Sequence, residues 1–87
     1  MKIVRSAMVG TLESSDVQVN INPCAKIQIE IESIVAAQFE DVILKTVQEV
    51  LDEFKVTEAH VILKDQGALD CTIRARVETA IFRAKED

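Results

Sequence analysis

The alternation in "VQVNIN", Val17 to Asn22, constrains the fold more than any other stretch of the chain. Val17, Val19 and Ile21 fall on one side of an extended backbone and Gln18, Asn20 and Asn22 on the other. That is the pattern of a strand with one buried and one solvated face. After "NPCAK" the pattern returns, with Ile27, Ile29 and Ile31 set against Gln28, Glu30 and Glu32. Pro23 fixes its own φ and has no amide hydrogen, so it suits a turn between the two runs. Together they predict an antiparallel hairpin.

Beyond Ser33, which is placed to cap a helix, the period changes. Val35, Phe39, Val42, Ile43, Thr46, Val47, Val50 and Phe54 recur at helical spacing, while Glu40, Asp41, Lys45, Glu49 and Glu53 occupy the opposite face. A helix from Ile34 to Phe54 would be about 30 Å long, enough to cross a small sheet. Ala59, Val61 and Leu63 then alternate with His60, Ile62 and Lys64, predicting a further strand that stops at Asp65-Gln66-Gly67. Upstream, Ile3 to Val9 reads as a short strand despite Arg5 and Ser6. Cys71 to Val77, taken alone, would also alternate as a strand. Over a longer window Leu69, Ile73, Val77, Ala80, Ile81 and Ala84 keep helical spacing with good helix formers between them, which predicts a helix. The order β-β-β-α-β-α gives an α+β fold, a two-layer sandwich with two helices on one face of a small mixed or antiparallel sheet.

With 87 residues the chain is expected to form a single domain, residues 1–87. A domain this small leaves about a third or more of its unfolded-chain surface exposed, so an enclosed active site is not expected. The net charge is −5 and the lysines and arginines are scattered, which argues against a nucleic-acid partner. There is no tryptophan or tyrosine, and Phe39, Phe54 and Phe82 lie in apolar patterns that predict core burial rather than base stacking. No apolar run approaches a membrane span, and Arg5 interrupts the first residues before a signal-peptide core forms, so a cytoplasmic protein is expected, with no membrane partner. Cys24 and Cys71 lack a C-x-x-C pattern or neighbouring histidines and are expected to be free thiols. His60 is expected at the surface, and soft ligands are too few for a metal site.

The segment "GTLESSD", Gly10 to Asp16, admits several readings. As a turn, it would use local hydrogen bonds of Ser14, Ser15 and Asp16, with Glu13 and Asp16 as solvated carboxylates. As a nucleophile, Ser14 lacks a G-x-S-x-G setting, and the lone His60 would have to lie nearby and be oriented by a carboxylate. As the acceptor of a phosphodiester-linked cofactor, a serine needs only an exposed hydroxyl, because a separate transferase supplies base and metal ion. The turn and the acceptor both stand on these residues. A small regulatory or ligand-binding α+β domain without a covalent cofactor, or a purely structural subunit, stands as the alternative.

"GTLESSD" together with "DQGALDCTIRARV", Asp65 to Val77, resembles the family of citrate lyase acyl carrier proteins, the gamma subunits. The family pattern is G-T-L-E-S, then Ser or Gly, then Asp, with a second block near D-K-G-A-L-D-C followed by R-A-R. Length and block spacing agree over nearly the whole chain; Gln66 departs, standing where lysine is common. The resemblance implies that Ser14 carries 2'-(5''-phosphoribosyl)-3'-dephospho-CoA, covalently attached through a phosphodiester, and that Ser15 is not the attachment point. It implies that the reactive thiol belongs to that group and not to Cys24 or Cys71. The implied partners are the citrate lyase alpha subunit, which exchanges the carried acetyl group for citrate, the beta subunit, which cleaves the citryl thioester to oxaloacetate and an acetyl thioester, and the prosthetic-group transferase. The chain itself would be a carrier with no catalytic residues and no metal. Arg74, Arg76 and Arg83, cations in an acidic protein, are candidates for a docking or cofactor-phosphate surface, or else a solvated helix face.

Overall fold

The computed structural model describes residues 1–34 and 39–87. Strands β1 (Ala7–Val9), β2 (Val17–Asn22) and β3 (Ile27–Ser33) come first, followed by helix α1 (Glu40–Glu53), strand β4 (Ala59–Asp65) and helix α2 (Asp70–Ala84). The strands form one mixed sheet in the order β1-β2-β4-β3. β1 and β4 run antiparallel to β2, while β3 is parallel to β4. α2 packs on β1 and β2, and α1 packs on α2 and β3. This is the α+β sandwich read from the periodicity.

The alternation in β2 and β4 has a direct consequence for packing. Val17, Val19, Ile21, Ala59, Val61 and Leu63 are fully buried and share one apolar core with the stripe of α2 formed by Ile73, Val77, Ala80, Ile81 and Ala84. Alanines at positions 80 and 84 carry little side chain, which lets the end of α2 lie close to the sheet. Removing this much apolar surface from water is the main force holding so small a domain together.

Three expectations are corrected. β2 and β3 do not form a hairpin: β4 lies between them. Asn22 at the end of β2 and Gln28 near the start of β3 both register with His60, so the linker Pro23 to Lys26 crosses over the start of β4. It has to span two strand spacings, about 9–10 Å, which four residues manage easily. The apolar β4 thereby gains partners on both edges.

Ser33 ends β3, and its hydroxyl donates to Asp65 Oδ2 at 2.9 Å. The turn that the sequence sets it to cap lies outside the described residues. α1 begins at Glu40 with no side-chain cap, and Val35 lies outside the described residues. Phe39 and Val42 are about half exposed, although they share a stripe with Ile43 and Val47. They fall at the first turn of α1, where an open cleft against α2 replaces the core. Phe82 is also half exposed, and it meets the partly buried Phe54 edge-on, with ring centroids 5.2 Å apart.

The first strand is shorter than read from the sequence. Ile3 is buried but bridges to Lys85, and the amides of Val4 and Arg5 donate to the Ala84 carbonyl. The N-terminal segment is thus tied to the end of α2 before β1 begins. His60 is half-buried and pairs with Glu30 on β3, and both cysteines are free thiols.

Candidate attachment site

Val17, the first residue of β2, and Ser33, the last of β3, both register with Asp65 at the end of β4. The loop Gly10 to Asp16, the turn Asp65 to Leu69 and the first turn of α2 therefore share one end of the sheet. The two sequence blocks, nearly fifty positions apart, become neighbours there.

The loop is built from the inside. Gly10 has φ +89, and a Cβ on it would lie 1.9 Å from the Val17 carbonyl oxygen, so only glycine fits where the chain leaves β1. Asp16 organises the rest. Thr11 Oγ1 donates to Asp16 Oδ2 at 2.6 Å, and the Val17 amide donates to Oδ1 at 2.7 Å. Arg76 of α2 closes the arrangement with Nε on Oδ1 at 3.1 Å and Nη2 on Oδ2 at 3.0 Å. Thr11 Oγ1 also accepts the Glu13 amide at 3.1 Å, and the Asp16 amide donates to the Glu13 carbonyl at 3.1 Å. Led by the Thr11 hydroxyl, then the Val17 amide and the Arg76 guanidinium, these donors outweigh desolvation and lower the Asp16 pKa to about 2. Asp16 is not the solvated carboxylate expected from composition, since its side chain is only 15% exposed.

The far side of the loop is stitched to the second block. The Ser15 amide donates to the Gln66 carbonyl and the Gln66 amide donates to the Asp16 carbonyl, both at 2.8 Å. Ser15 itself has φ +66, a left-handed conformation that favours glycine. The position where the sequence pattern admits Ser or Gly is therefore the position whose backbone asks for glycine. Ser14 stands between these anchors, exposed, and no described residue hydrogen-bonds its hydroxyl.

Gln66 contributes backbone only to these contacts. Asp65, buried, accepts the Ala68 amide on Oδ1 at 2.9 Å and holds the turn that leads into α2. Asp70 Oδ1 accepts from Thr46 Oγ1 at 2.5 Å and Oδ2 from Arg74 Nε at 3.1 Å, and its pKa is lowered, chiefly by the Thr46 hydroxyl. Arg74 also reaches Glu49 on α1 at 2.9 Å. The three arginines singled out in the sequence thus do different things: Arg74 joins the helices, Arg76 holds the loop, and Arg83 is exposed in the last turn of α2.

A hydrolase arrangement does not form. His60 registers with Asn22, five rungs along the sheet from the Val17 and Asp65 pair that borders the loop, about 16 Å at strand rise. Among the described residues no cluster of three His, Cys, Asp or Glu side chains could hold a metal ion, and no helix is long and apolar enough to cross a membrane.

Residues 4–84 match the acyl carrier family model described as malonate decarboxylase delta subunit (MdcD). A citrate lyase acyl carrier protein of Treponema denticola is 54% identical over 99% of this chain and 99% of its own. The chain belongs to the citrate lyase acyl carrier protein family. A second family member, from Haemophilus influenzae strain PittEE, is 53% identical over the whole of this chain and 92% of its own. The fold recurs in a chain of the crystal structure of a Pseudomonas malonate decarboxylase hetero-tetramer in complex with malonate, with TM-score 0.78, 18% identity and coverage of 98% of this chain and 93% of that one. For this citrate lyase acyl carrier family member, the two diagnostic blocks are the two sides of one hydrogen-bonded seam around Ser14.

Proposed function

We propose that the chain is the acyl carrier subunit of citrate lyase, with 2'-(5''-phosphoribosyl)-3'-dephospho-CoA attached to Ser14 through a phosphodiester. One observation carries the reading: Ser14 presents an exposed, unpartnered hydroxyl at the tip of a loop anchored on both flanks by Asp16 and Gln66. The site fits such a group. Its hydroxyl is accessible, and the Asp16 charge beside it is matched by Arg76, which lessens repulsion toward a phosphodiester.

The group supplies a thiol that carries acyl groups as thioesters. The chain's own residues hold the attachment hydroxyl away from the body and keep the loop in one shape. On this reading the acyl chemistry takes place at the partner subunits, and the chain's one histidine lies at the other end of the sheet from the loop. A carrier of this kind needs no tight binding to its partners, because tethering raises the local concentration of the acyl group at each active site. On this reading the alpha subunit performs acyl exchange, the beta subunit performs cleavage, the transferase loads Ser14, and all act in the cytoplasm.

Intact mass of the protein isolated with its lyase partners tests the reading. The expected result is a mass increase equal to one prosthetic group. An unmodified chain in a complex that cleaves citrate would contradict it and favour the regulatory-domain alternative.

A further inference from the structure

Next to the attachment loop, between the first turns of α1 and α2, lies an open cleft of about 240 Å³ whose apolar walls are Phe39, Val42, Ile43, Ala68 and Ile73. We propose that this cleft holds the neutral pantetheine end of the prosthetic arm whenever no partner subunit engages it. The inference rests on attachment of the arm at Ser14.

Position is the first argument. Gln66 is hydrogen-bonded through its backbone to both Ser15 and Asp16, and the next residue, Gly67, forms the sill of the cleft. A Cβ at Gly67 would meet nothing within 4 Å, so the way from the loop over the sill is open. An arm fixed at Ser14 begins two residues from that route. Tethering then makes even a weak site populated, because the ligand never leaves the neighbourhood.

Chemistry selects which part of the arm enters. A cavity of roughly 150 Å³ lined by aliphatic and aromatic side chains takes up a benzene molecule. The larger cleft here suits the branched dimethyl portion of pantetheine, with its amides left toward water at the mouth. Phe39 and Val42 gain from the match, being 48% and 58% exposed on a stripe that is otherwise buried. The cleft also carries two carboxylates. Asp65 accepts from Ser33 and Ala68, and Asp70 from Thr46 and Arg74, so their donors come from the chain itself. Asp70 is matched by Arg74. Asp65 takes its donors from a hydroxyl and an amide, and its carboxylate opposes an anionic occupant, which disfavours the phosphates of the arm and favours its neutral end.

The test compares the apo carrier with the loaded carrier in its free-thiol form, both labelled at methyl carbons, after intact mass has verified loading. The methyl resonances of Val42, Ile43, Ala68 and Ile73 are expected to shift, with Overhauser contacts from the geminal methyls of the arm to the Phe39 ring. Loaded Val42→Asp, altered at an exposed position, is expected to lose those contacts. A full mass increase with shifts confined to Gly10–Asp16 and Gln66 would overturn the inference and leave the cleft to a partner surface. Contacts that persist undiminished in Val42→Asp would overturn it too. Failure of the wild-type chain to gain mass would instead refute the attachment itself, and this inference with it.

Discussion

Asp16 and Arg76, sixty residues apart in sequence, meet in a two-pronged ion pair of 3.1 and 3.0 Å. The pair fastens the loop after β1 to the middle of α2, and it gives a reason for one block of sequence to require the other.

The first prediction concerns acid. Asp16 has its pKa lowered from 3.8 to about 2 in the folded protein, so folding favours its ionised form. Its contribution to stability is complete above about pH 4 and disappears as the pH falls through about 2. A carbon-detected titration of the Asp16 carboxyl should show this midpoint. Thr11→Val and Arg76→Gln should each raise it, the first by removing the leading hydrogen bond and the second by removing both a hydrogen bond and a neighbouring positive charge. A wild-type midpoint near 3.8 would contradict the arrangement.

Arg76→Gln should cost about 1 kcal/mol in chemical denaturation, the usual scale for a partly exposed pair. The larger effect should fall on loading. A loop that samples more shapes presents the binding-competent one less often, so the transferase should show a raised KM for the carrier with little change in kcat. Arg76→Lys should restore part of the loss. Equal KM values for wild type and Arg76→Gln would leave Arg76 with a purely structural role.

The two glycines separate backbone conformation from crowding. Both have positive φ, but a Cβ at Gly10 would strike the Val17 carbonyl at 1.9 Å, whereas one at Gly67 meets open space. Gly67→Ala should cost roughly 1–2 kcal/mol from conformation alone, and Gly10→Ala distinctly more. Thermal melts of the two variants decide the point; equal losses would mean that the loop yields freely around Gly10.

Ser15 adopts φ +66 without being glycine. Ser15→Gly should therefore melt at or above the wild-type temperature, while Ser15→Val should lose about 1–2 kcal/mol. A Val variant as stable as wild type would show that the loop does not need this conformation.

Much of the fold was legible because β2, β4 and α2 are buried on one side only, and one-sided burial writes its period into the sequence. Sheet order was not legible. A strand pairs through backbone groups common to every residue, so Ile27, Ile29 and Ile31 announce a strand without saying whether Val17–Asn22 or Ala59–Asp65 lies beside it. The half-exposure of Phe39 and Val42 was not legible, because they keep helical spacing while lining a cleft. At the site, the exposure of Ser14 could be expected from its polar setting. The role of Asp16 could not, because nothing local distinguishes a solvated aspartate from one held by an arginine of another block; only the joint presence of the two blocks hinted at it.

The central claim is that Ser14, and no other residue, receives the prosthetic group. Peptide mass mapping after incubation with the transferase and the cofactor precursor tests it directly. Wild type and Ser15→Ala should be modified on Ser14. Ser14→Ala should remain unmodified while keeping its stability within about 0.5 kcal/mol, as befits an exposed loop hydroxyl, and should support no citrate cleavage by the reconstituted complex. Modification mapped to Ser15, Cys24 or Cys71, or a loaded Ser14→Ala chain, would contradict the account.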